Sequence, residues 1–187
     1  MTQKIFQCGA GDCWADKNNN FDATGTVVYV IDQPGVVNAN VRSWFPFTVN
    51  LRNVTVITAY ITVRSSSSST AGSGSIRLAC EASDNPSTPA SGADLNGRSI
   101  TAFTHTGTIS GAWVLDTEYT FQIDNSVQEI LQRPGWAYGN TMAVIIDDVD
   151  LGDTTRSAYS YESASPNYRA YLTINYTGFT PRSGGML

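Results

Sequence analysis

Most of the chain alternates between apolar and polar residues with a period of two. From Ile57 to Val63, apolar residues occupy every second position, and Thr or Tyr occupies the positions between them. This alternation is typical of a β-strand with one buried face. Eight further segments share the pattern: Thr26–Ile31, Ser43–Val49, Ser75–Ser83, Ser99–His105, Glu118–Ile123, Met142–Asp147, Arg156–Tyr161 and Ala170–Tyr176. Short strands separated by turn-forming residues predict an all-β fold, an antiparallel β-sandwich of jelly-roll type.

One segment departs from the period of two and predicts a single short helix at about residues 126–133. Its apolar residues have helical spacing and form a one-sided stripe of Val127, Ile130 and Leu131. Ser126 and Glu129 have the spacing of a capping box, and Pro134 with the glycine after it would end the helix. Because so short a helix is marginal in water, we expect the stripe to pack on the β core.

The length and composition favour one globular domain. The chain has 187 residues, enough for one substantial core and few for two. We therefore expect a single β-sandwich domain over residues 1–176 and a C-terminal tail over residues 177–187. The net charge of −5 and the lack of a basic cluster argue against nucleic acid and against anionic membranes as partners. No apolar run is long enough for a membrane span.

The N-terminal sequence and the cysteines indicate the cellular compartment in which the protein is made. The first residues lack the apolar core of a signal peptide, which predicts synthesis in the cytoplasm. Cys80 lies in an alternating segment and fits a small core residue. Cys8 and Cys13 are expected to be free thiols, and a bridge closing the short loop between them is the alternative.

Six sequence segments together resemble the DNRLRE-type β-sandwich family. The resemblance extends from about Phe6 to Tyr176, and its most specific part is Val127–Asn140. It departs from the family at Leu51–Val54, where the family usually has a Pro-Gly turn. The matching segments are, in order, Gly9–Asp12, Thr55–Val63, Glu81–Pro86, Val127–Asn140, Ser160–Ser163 and Leu172–Tyr176.

The family resemblance implies a function without catalysis. Its members look like carbohydrate-binding modules, and they occur in bacterial surface proteins and as virion-associated proteins of tailed phages. The hypothesis that follows is a non-catalytic virion protein, a capsid decoration (cement) protein or another head or tail component. Its partners would be further copies of itself, as a homo-oligomer, and the major capsid protein or another virion protein. The alternative is a carbohydrate-binding module or adhesin domain that binds a glycan.

The residues themselves also argue against an enzyme. His105 is the only histidine, and no Gly-x-Ser-x-Gly motif is present. A glycosidase would need two facing carboxylates, and only four glutamates are available: Glu81, Glu118, Glu129 and Glu162. We expect Glu129 to belong to the capping box and Glu162 to anchor a neighbouring loop. No catalytic residue and no organic cofactor is predicted.

One segment has the spacing of a calcium loop. Oxygen-bearing side chains recur at every second position, at Asp16, Asn18, Asn20 and Asp22. Ca²⁺ binds six to eight oxygen ligands, and such a loop could supply several of them. The segment lacks the Gly at position 6 and the Glu at position 12 of an EF-hand loop. A structural calcium ion and ordinary turn chemistry are therefore both open interpretations.

Candidate partner contacts lie near both ends of the chain. Aromatic residues are plentiful, and Tyr168, which follows Pro166 and Asn167, is expected to make a surface contact. We expect apolar residues of the two ends to dock on a neighbouring subunit or on a capsid shell. The alternative is that the tail packs on its own sandwich. The terminal candidates are Ile5, Phe6, Phe179, Met186 and Leu187.

Overall fold

The structure is a computed structural model that describes residues 1–31, 40–69, 73–149, 155–163 and 165–178. These residues form twelve strands, two α-helices and a 3₁₀ turn at Pro166–Tyr168. Neither helix in this part of the chain is long and apolar enough to cross a membrane. The elements are β1 (Thr2–Gln7), β2 (Cys13–Ala15), β3 (Phe21–Asp22), β4 (Val27–Ile31), β5 (Arg42–Thr48), β6 (Thr55–Arg64), β7 (Ser73–Cys80), α1 (Gly92–Gly97), β8 (His105–Ser110), β9 (Glu118–Gln122), α2 (Asp124–Leu131), β10 (Thr141–Asp148), β11 (Arg156–Tyr159) and β12 (Tyr171–Thr177).

The strands form two main antiparallel sheets. The four-stranded sheet has the order β1-β12-β6-β9, and the six-stranded sheet has the order β3-β2-β5-β10-β7-β8. Strands β4 and β11 form a separate pair. When β2, β3, β4 and β11 are left out, the other eight strands, renumbered along the chain, follow the orders 1-8-3-6 and 2-7-4-5. This interleaving is that of a jelly roll, so the predicted fold class is confirmed.

The main core lies between the two sheets. Ala59, Ile61 and Val63 of β6 point into it, as their period-two spacing predicts. Ile57 was expected on the same face, but it is 47% exposed. The reason is a bulge: Val56 pairs with Tyr176 and Thr58 pairs with Asn175, so the register shifts at Ile57.

The outer face of the six-stranded sheet is covered by a second, smaller core. Helix α1, which the sequence pattern did not predict, packs its Leu95 there against Trp44 and Ile145. Its N-terminus is capped by Ser91, whose hydroxyl accepts a hydrogen bond from the Asp94 amide. The connection between β7 and β8, which contains α1, therefore covers part of the outer face of this sheet.

Ion pairs and hydrogen bonds link α1 and the residues that follow it to the six-stranded sheet. The buried Glu81 carboxylate accepts a hydrogen bond of 2.7 Å from the Trp44 indole and one of 3.1 Å from Arg98. Arg98 also forms an ion pair with Asp94 and donates to the Ser87 carbonyl. Glu81 thus joins the sheet to the helix that covers it.

Helix α2 occupies the predicted position, but its cap differs from the prediction. The helix begins at Asp124, and no side chain caps it at Ile123. Ser126 donates instead to the Phe103 carbonyl, and the Glu129 carboxylate accepts from the backbone amides of residues 102 and 103. The capping box was wrong because the helix starts two residues earlier, where Asp124 accepts a hydrogen bond from the Ala59 amide.

The apolar stripe of α2 packs on the core as expected. Val127 and Ile130 are fully buried, and Leu131 is 4% exposed. All three residues of the stripe belong to the main core cluster. This part of the prediction is confirmed.

The structure differs from the predicted strands in two places, in the segment before β8 and at the N-terminus. The predicted strand Ser99–His105 is largely irregular, because the amides of residues 102 and 103 bond to Glu129 instead of to a neighbouring strand. The strand that follows is β8, which starts at His105. Strand β1 was not predicted, since it is an edge strand with mostly exposed side chains and no clear alternation.

All three cysteines are buried free thiols, which agrees with the expectation for Cys8 and Cys13. Burial, with a contribution from the charge of Asp12, raises the pKa of the Cys13 thiol to about 12. Burial also raises the pKa values of Cys8 and Cys80 well above their usual range. The thiols are therefore neutral and act as small core residues.

Leu131→Ala should destabilise the protein by about 2–5 kcal/mol, because it removes a buried side chain and leaves a cavity under α2. Urea unfolding gives the free energy of unfolding directly. The exposed neighbour Gln132 offers a matched control, and Gln132→Ala should change stability by less than about 0.5 kcal/mol. Equal effects of the two substitutions would contradict the packing of the stripe.

Glu81→Ala should cost about 2–3 kcal/mol, since it leaves the Trp44 indole without its acceptor and Arg98 with its remaining partners only. Glu118, which also pairs with an arginine but is 42% exposed, supplies the control. Glu118→Ala should cost less than about 1 kcal/mol. If chemical unfolding gives the two variants the same stability, Glu81 does not hold the cover in place.

Candidate ligand-binding face

The outer face of the four-stranded sheet presents side chains that are suited to a ligand. Its strands send alternate residues into the core, so the residues between them point outward. We call these outward residues the tyrosine face. It consists of Gln3, Ile5, Gln7, Thr58, Tyr60, Thr62, Arg64, Glu118, Thr120, Gln122, Tyr171, Thr173 and Asn175.

The strand register arranges these residues in rows across the sheet. One row runs from Ile5 through Thr173 and Tyr60 to Gln122. The next row consists of Gln7, Tyr171, Thr62 and Thr120. Residues two apart on a strand are separated by roughly 7 Å, so Tyr60 and Tyr171 are diagonal neighbours near the middle of the face.

The side chain of Tyr171 extends across the sheet. Its hydroxyl donates a hydrogen bond of 3.1 Å to the carboxylate of Glu118 on β9, although β6 lies between the two strands. The side chain therefore passes over Thr62, the partner of Tyr171 on β6. Burial, together with the bond to Glu118, raises the pKa of the Tyr171 hydroxyl, so it remains a protonated donor. The result is an aromatic ring held across the surface of the sheet.

Hydrogen bonds between side chains hold the polar groups of the face in position. Gln3 donates to the Asn175 side-chain oxygen at 3.1 Å, and the Asn175 amide nitrogen donates to Thr58 at 2.8 Å. The hydroxyls of Thr62 and Thr120 lie 2.9 Å apart. Amides and hydroxyls can both donate and accept, so the face offers fixed partners to the hydroxyl groups of a ligand.

Two stacked aromatic rings, those of Tyr159 and Tyr168, lie beside Arg64 at one end of the tyrosine face. Arg64 pairs with Glu118 at 3.1 Å, and its guanidinium lies 5.3 Å from the ring centre of Tyr168. Tyr168 stacks on Tyr159 with ring centres 4.5 Å apart. Gln7 donates to the carbonyl of Pro166, which ties the 3₁₀ turn to the sheet. Tyr168, which the sequence nominated as a surface contact, is thus half-buried at the edge of this face.

The other predicted partner contacts have different environments. Ile5 is 61% exposed and belongs to the tyrosine face, so its side chain is accessible to a partner. Phe6 was nominated as well, but it is only 8% exposed, because it points from the edge strand into the main core. Phe179, Met186 and Leu187 lie outside the described residues.

The predicted calcium loop is organised by its own backbone. Asp16 is fully buried, and its carboxylate accepts hydrogen bonds from the amides of Asn18 and Asn20 and from the Asn20 side chain. Asp22 accepts from the amides of Thr24 and Gly25. Within the described ranges, no group of three or more His, Cys, Asp or Glu side chains is arranged to hold a metal ion. Calcium binding by this loop stays a prediction.

The glutamates considered for catalysis have structural partners or lie apart from one another. Glu81 bonds to Trp44 and Arg98, and Glu129 bonds to backbone amides in front of β8. Glu118 is the acceptor for Tyr171 and Arg64 on the tyrosine face. These three carboxylates therefore lie in different parts of the sandwich.

Sequence reasoning did not assemble this face. The alternation of this segment places Tyr60 and Thr62 on the polar side of their strand, but it does not bring Tyr171 next to them. Joining them requires the pairing of β12 with β6, which are separated by more than a hundred residues. The available signal is the recurrence of Thr, Tyr and Asn at the outward positions of the last strand and of Thr55–Arg64.

Comparisons with known proteins give structural similarities only. No family model matches the chain, and no curated protein matches it. The resemblance to the DNRLRE-type family therefore stays a prediction.

Two solved structures of carbohydrate-binding modules are similar to the chain. One is the crystal structure of a module specific for non-crystalline cellulose, CBM28, with 12% identity, a TM-score of 0.38, and coverage of 88% of this chain and 87% of that chain. The other is the CBM36-1 domain of a multidomain xylanase from the hindgut metagenome of Trinervitermes trinervoides. It has 11% identity, a TM-score of 0.29, and coverage of 95% of this chain and 100% of that chain. At these values neither structure assigns a ligand to this chain.

Proposed function

We propose that the protein is a non-catalytic carbohydrate-binding module that holds a neutral glycan on the tyrosine face. The observation that carries this proposal is the side chain of Tyr171, which extends across β6 to Glu118 with Tyr60 as its diagonal neighbour. Fixed amides and hydroxyls surround both rings. Aromatic rings beside a few oriented polar groups are typical of ligand sites.

The chemistry of the tyrosine face matches a sugar ring. A pyranose has a face of C–H bonds, which packs on an aromatic ring, and a rim of hydroxyls, which bond to amides and hydroxyls. The two charged residues of the face, Arg64 and Glu118, neutralise one another at 3.1 Å. The net charge of −5 adds a general repulsion of anionic ligands. These features favour a neutral glycan over a charged one.

The absence of catalysis forms part of the proposal. Glycosidases use two carboxyl groups about 5–10 Å apart on either side of the bond that they cleave. Among the described residues of the tyrosine face, Glu118 is the one carboxylate, and it is engaged by Tyr171 and Arg64. A ligand on this face would accordingly be bound without being cleaved.

Tyr60→Ala and Tyr171→Ala should each weaken glycan binding by about tenfold or more, because each removes a ring from the face. Tenfold corresponds to about 1.4 kcal/mol. A glycan array identifies a bound neutral glycan, and calorimetry with that glycan measures the affinity. Both side chains lie outside the core, so the melting temperature should change little.

Tyr138 provides the matched control for these two substitutions. It is 58% exposed and follows α2, away from the tyrosine face, so Tyr138→Ala should leave the affinity unchanged. Loss of binding in the Tyr138 variant but not in the other two would place the site elsewhere. If an array of neutral glycans gives no binding at all, the proposal fails.

Tyr171→Phe distinguishes the contribution of the aromatic ring to binding from that of the hydrogen bond that positions the ring. The variant keeps the aromatic ring but loses the hydrogen bond to Glu118 that holds it across the sheet. We expect an affinity between those of the wild type and Tyr171→Ala, about two- to tenfold below the wild type, since one hydrogen bond is worth about 0.5–1.5 kcal/mol and tenfold corresponds to about 1.4 kcal/mol. Calorimetry with the same glycan gives the ratio. Phe and Ala variants of equal affinity would show that the ring itself contributes nothing.

A second candidate function is assembly in a virion. The feature that favours it is β1, an edge strand of the four-stranded sheet with Ile5 61% exposed. An exposed edge can pair with a strand of another chain, here a further copy or a major capsid protein. Such a protein would be a capsid decoration protein or another head or tail component of a tailed phage. Oligomers in light scattering and the protein in purified particles would support this role, whereas a monomer that binds glycan would support the first.

A further inference from the structure

A groove lies between the start of β6 and the C-terminal end of α2. Its volume is about 400 Å³, which is within the range of small-molecule sites. One wall is the turn that leads into β6, and the other is the segment that follows α2. We call it the arginine groove, and its lining residues are Arg52, Asn53, Val54, Thr55, Leu131, Gln132, Arg133, Pro134 and Trp136.

Hydrogen bonds hold the two walls of the arginine groove together. The buried Trp136 donates from its indole nitrogen to the carbonyl of Leu51 at 2.8 Å. Gln128 of α2 accepts a hydrogen bond of 2.6 Å from the Val56 amide and donates to the carbonyl of Val54. The shape of the groove is therefore fixed by the fold, which lowers the cost of binding a ligand there.

Arg52 lacks a partner within the protein. It is exposed, and it forms no hydrogen bond, ion pair or aromatic contact with any of the described residues. The other arginines in the described ranges all have partners: Arg42, Arg64, Arg77, Arg98, Arg133, Arg156 and Arg169. The guanidinium of Arg52 is thus available to a group from outside.

The second guanidinium of the groove is only partly engaged. Arg133 donates from Nε to Oδ1 of Asp84 at 2.5 Å, and its two terminal amino groups have no partner in the part of the chain that the structure describes. Asp84 lies so close to the neighbouring backbone that a Cβ at Gly135 would meet its Oδ2 at 2.0 Å. Asp84 therefore positions Arg133 and neutralises one of the two guanidiniums, which leaves the groove with one positive charge.

The end of α2 contributes hydrogen-bond acceptors. The last carbonyls of a helix lack intrahelical partners. Those of Gln128 and Ile130 accept from the amides of Gln132 and Arg133, whereas the carbonyl of Leu131 accepts no hydrogen bond within the described ranges. Such carbonyls suit ligand hydroxyls, and the negative end of the helix dipole disfavours a second negative charge.

We propose that the arginine groove binds the carboxylate of an acidic sugar, a uronic acid, with Arg52 and Arg133 as the recognising residues. The planar guanidinium fork matches a carboxylate in geometry and charge. One positive charge suits a single carboxylate better than a phosphate group, which carries roughly −1.5 to −2 charges at neutral pH. The side chains of Asn53, Thr55 and Gln132 supply amides and a hydroxyl for the ring hydroxyls.

The arginine groove is separate from the aromatic pair of the tyrosine face. Thr55 begins β6 and Arg64 ends it, so roughly 30 Å of strand lies between the groove and Tyr168. The inference therefore does not rest on the proposal of a neutral glycan on that face. The net charge of −5 repels anions over long distances, but physiological salt screens charges beyond about 8 Å, so the local arginines decide.

An NMR titration of the full chain with sodium D-glucuronate tests the proposal. D-glucose is the matched neutral ligand, because it has a hydroxymethyl group in place of the carboxylate. Inorganic phosphate is the competing anion. We expect glucuronate to bind with millimolar affinity and to shift the backbone amides of residues 52–55 and 131–136. Glucose and phosphate should both bind about tenfold more weakly or less, since each lacks the charge that matches the groove.

Arg52→Gln should weaken glucuronate binding by about tenfold or more, because it removes a charged donor. Arg52 is exposed, so the variant should fold. Lys17→Gln is the matched control: it removes the same charge from an exposed residue that does not line the groove, and it should leave the affinity unchanged. Arg133→Gln should also weaken binding, and its melting temperature shows whether the lost bond to Asp84 affects the fold.

Four results would overturn the proposal. Glucuronate could leave the amides of the groove unshifted, or glucose could bind as tightly, which would show that the carboxylate is not recognised. Equal losses in Arg52→Gln and Lys17→Gln would show a general attraction of anions to surface cations. Tighter binding of phosphate at the same amides would assign the groove to a tetrahedral anion. Should Arg133→Gln fail to fold, Arg52→Gln and its control still decide.

Discussion

The pairing of β12 with both β1 and β6 is the constraint on which the rest of the structure depends. The last strand inserts between the first strand and one from the middle of the chain, over seven residues of β6. Its inward residues Leu172 and Ile174 close the core, and its outward residues Tyr171, Thr173 and Asn175 form the centre of the tyrosine face. Stability and the candidate site thus come from opposite sides of one strand.

The distribution of charge distinguishes the two sheets. On the six-stranded sheet, Asp147 pairs with Arg42 and Arg77, each at 2.6 Å, and Glu81 pairs with Arg98. Except for Arg77, whose side chain is 40% exposed, these charged groups are largely out of water, and they need partners for that reason. On the four-stranded sheet, Arg64 and Glu118 are the charged pair at one end. The remaining outward side chains are almost all uncharged, which suits hydroxyl-bearing ligands.

Local patterns in the sequence predicted local structure well and long-range structure poorly. Most of the predicted strands, and the buried stripe of α2, follow from residue spacing alone. The capping box failed because tertiary hydrogen bonds to Phe103 and its neighbour took the side chains of Ser126 and Glu129. The exposure of Ile57 arises from a bulge that depends on pairing with β12. The tyrosine face requires contacts between residues that are far apart in the chain, which no spacing rule encodes.

A chain of contacts connects the 3₁₀ turn to the centre of the tyrosine face. Tyr168 lies in the 3₁₀ turn, and its ring centre is 5.3 Å from the guanidinium of Arg64. Arg64 pairs with Glu118, and Glu118 accepts the hydrogen bond that holds Tyr171 across the face. A change in the position of Tyr168 would therefore also act on the ring of Tyr171, on which the proposed glycan would stack.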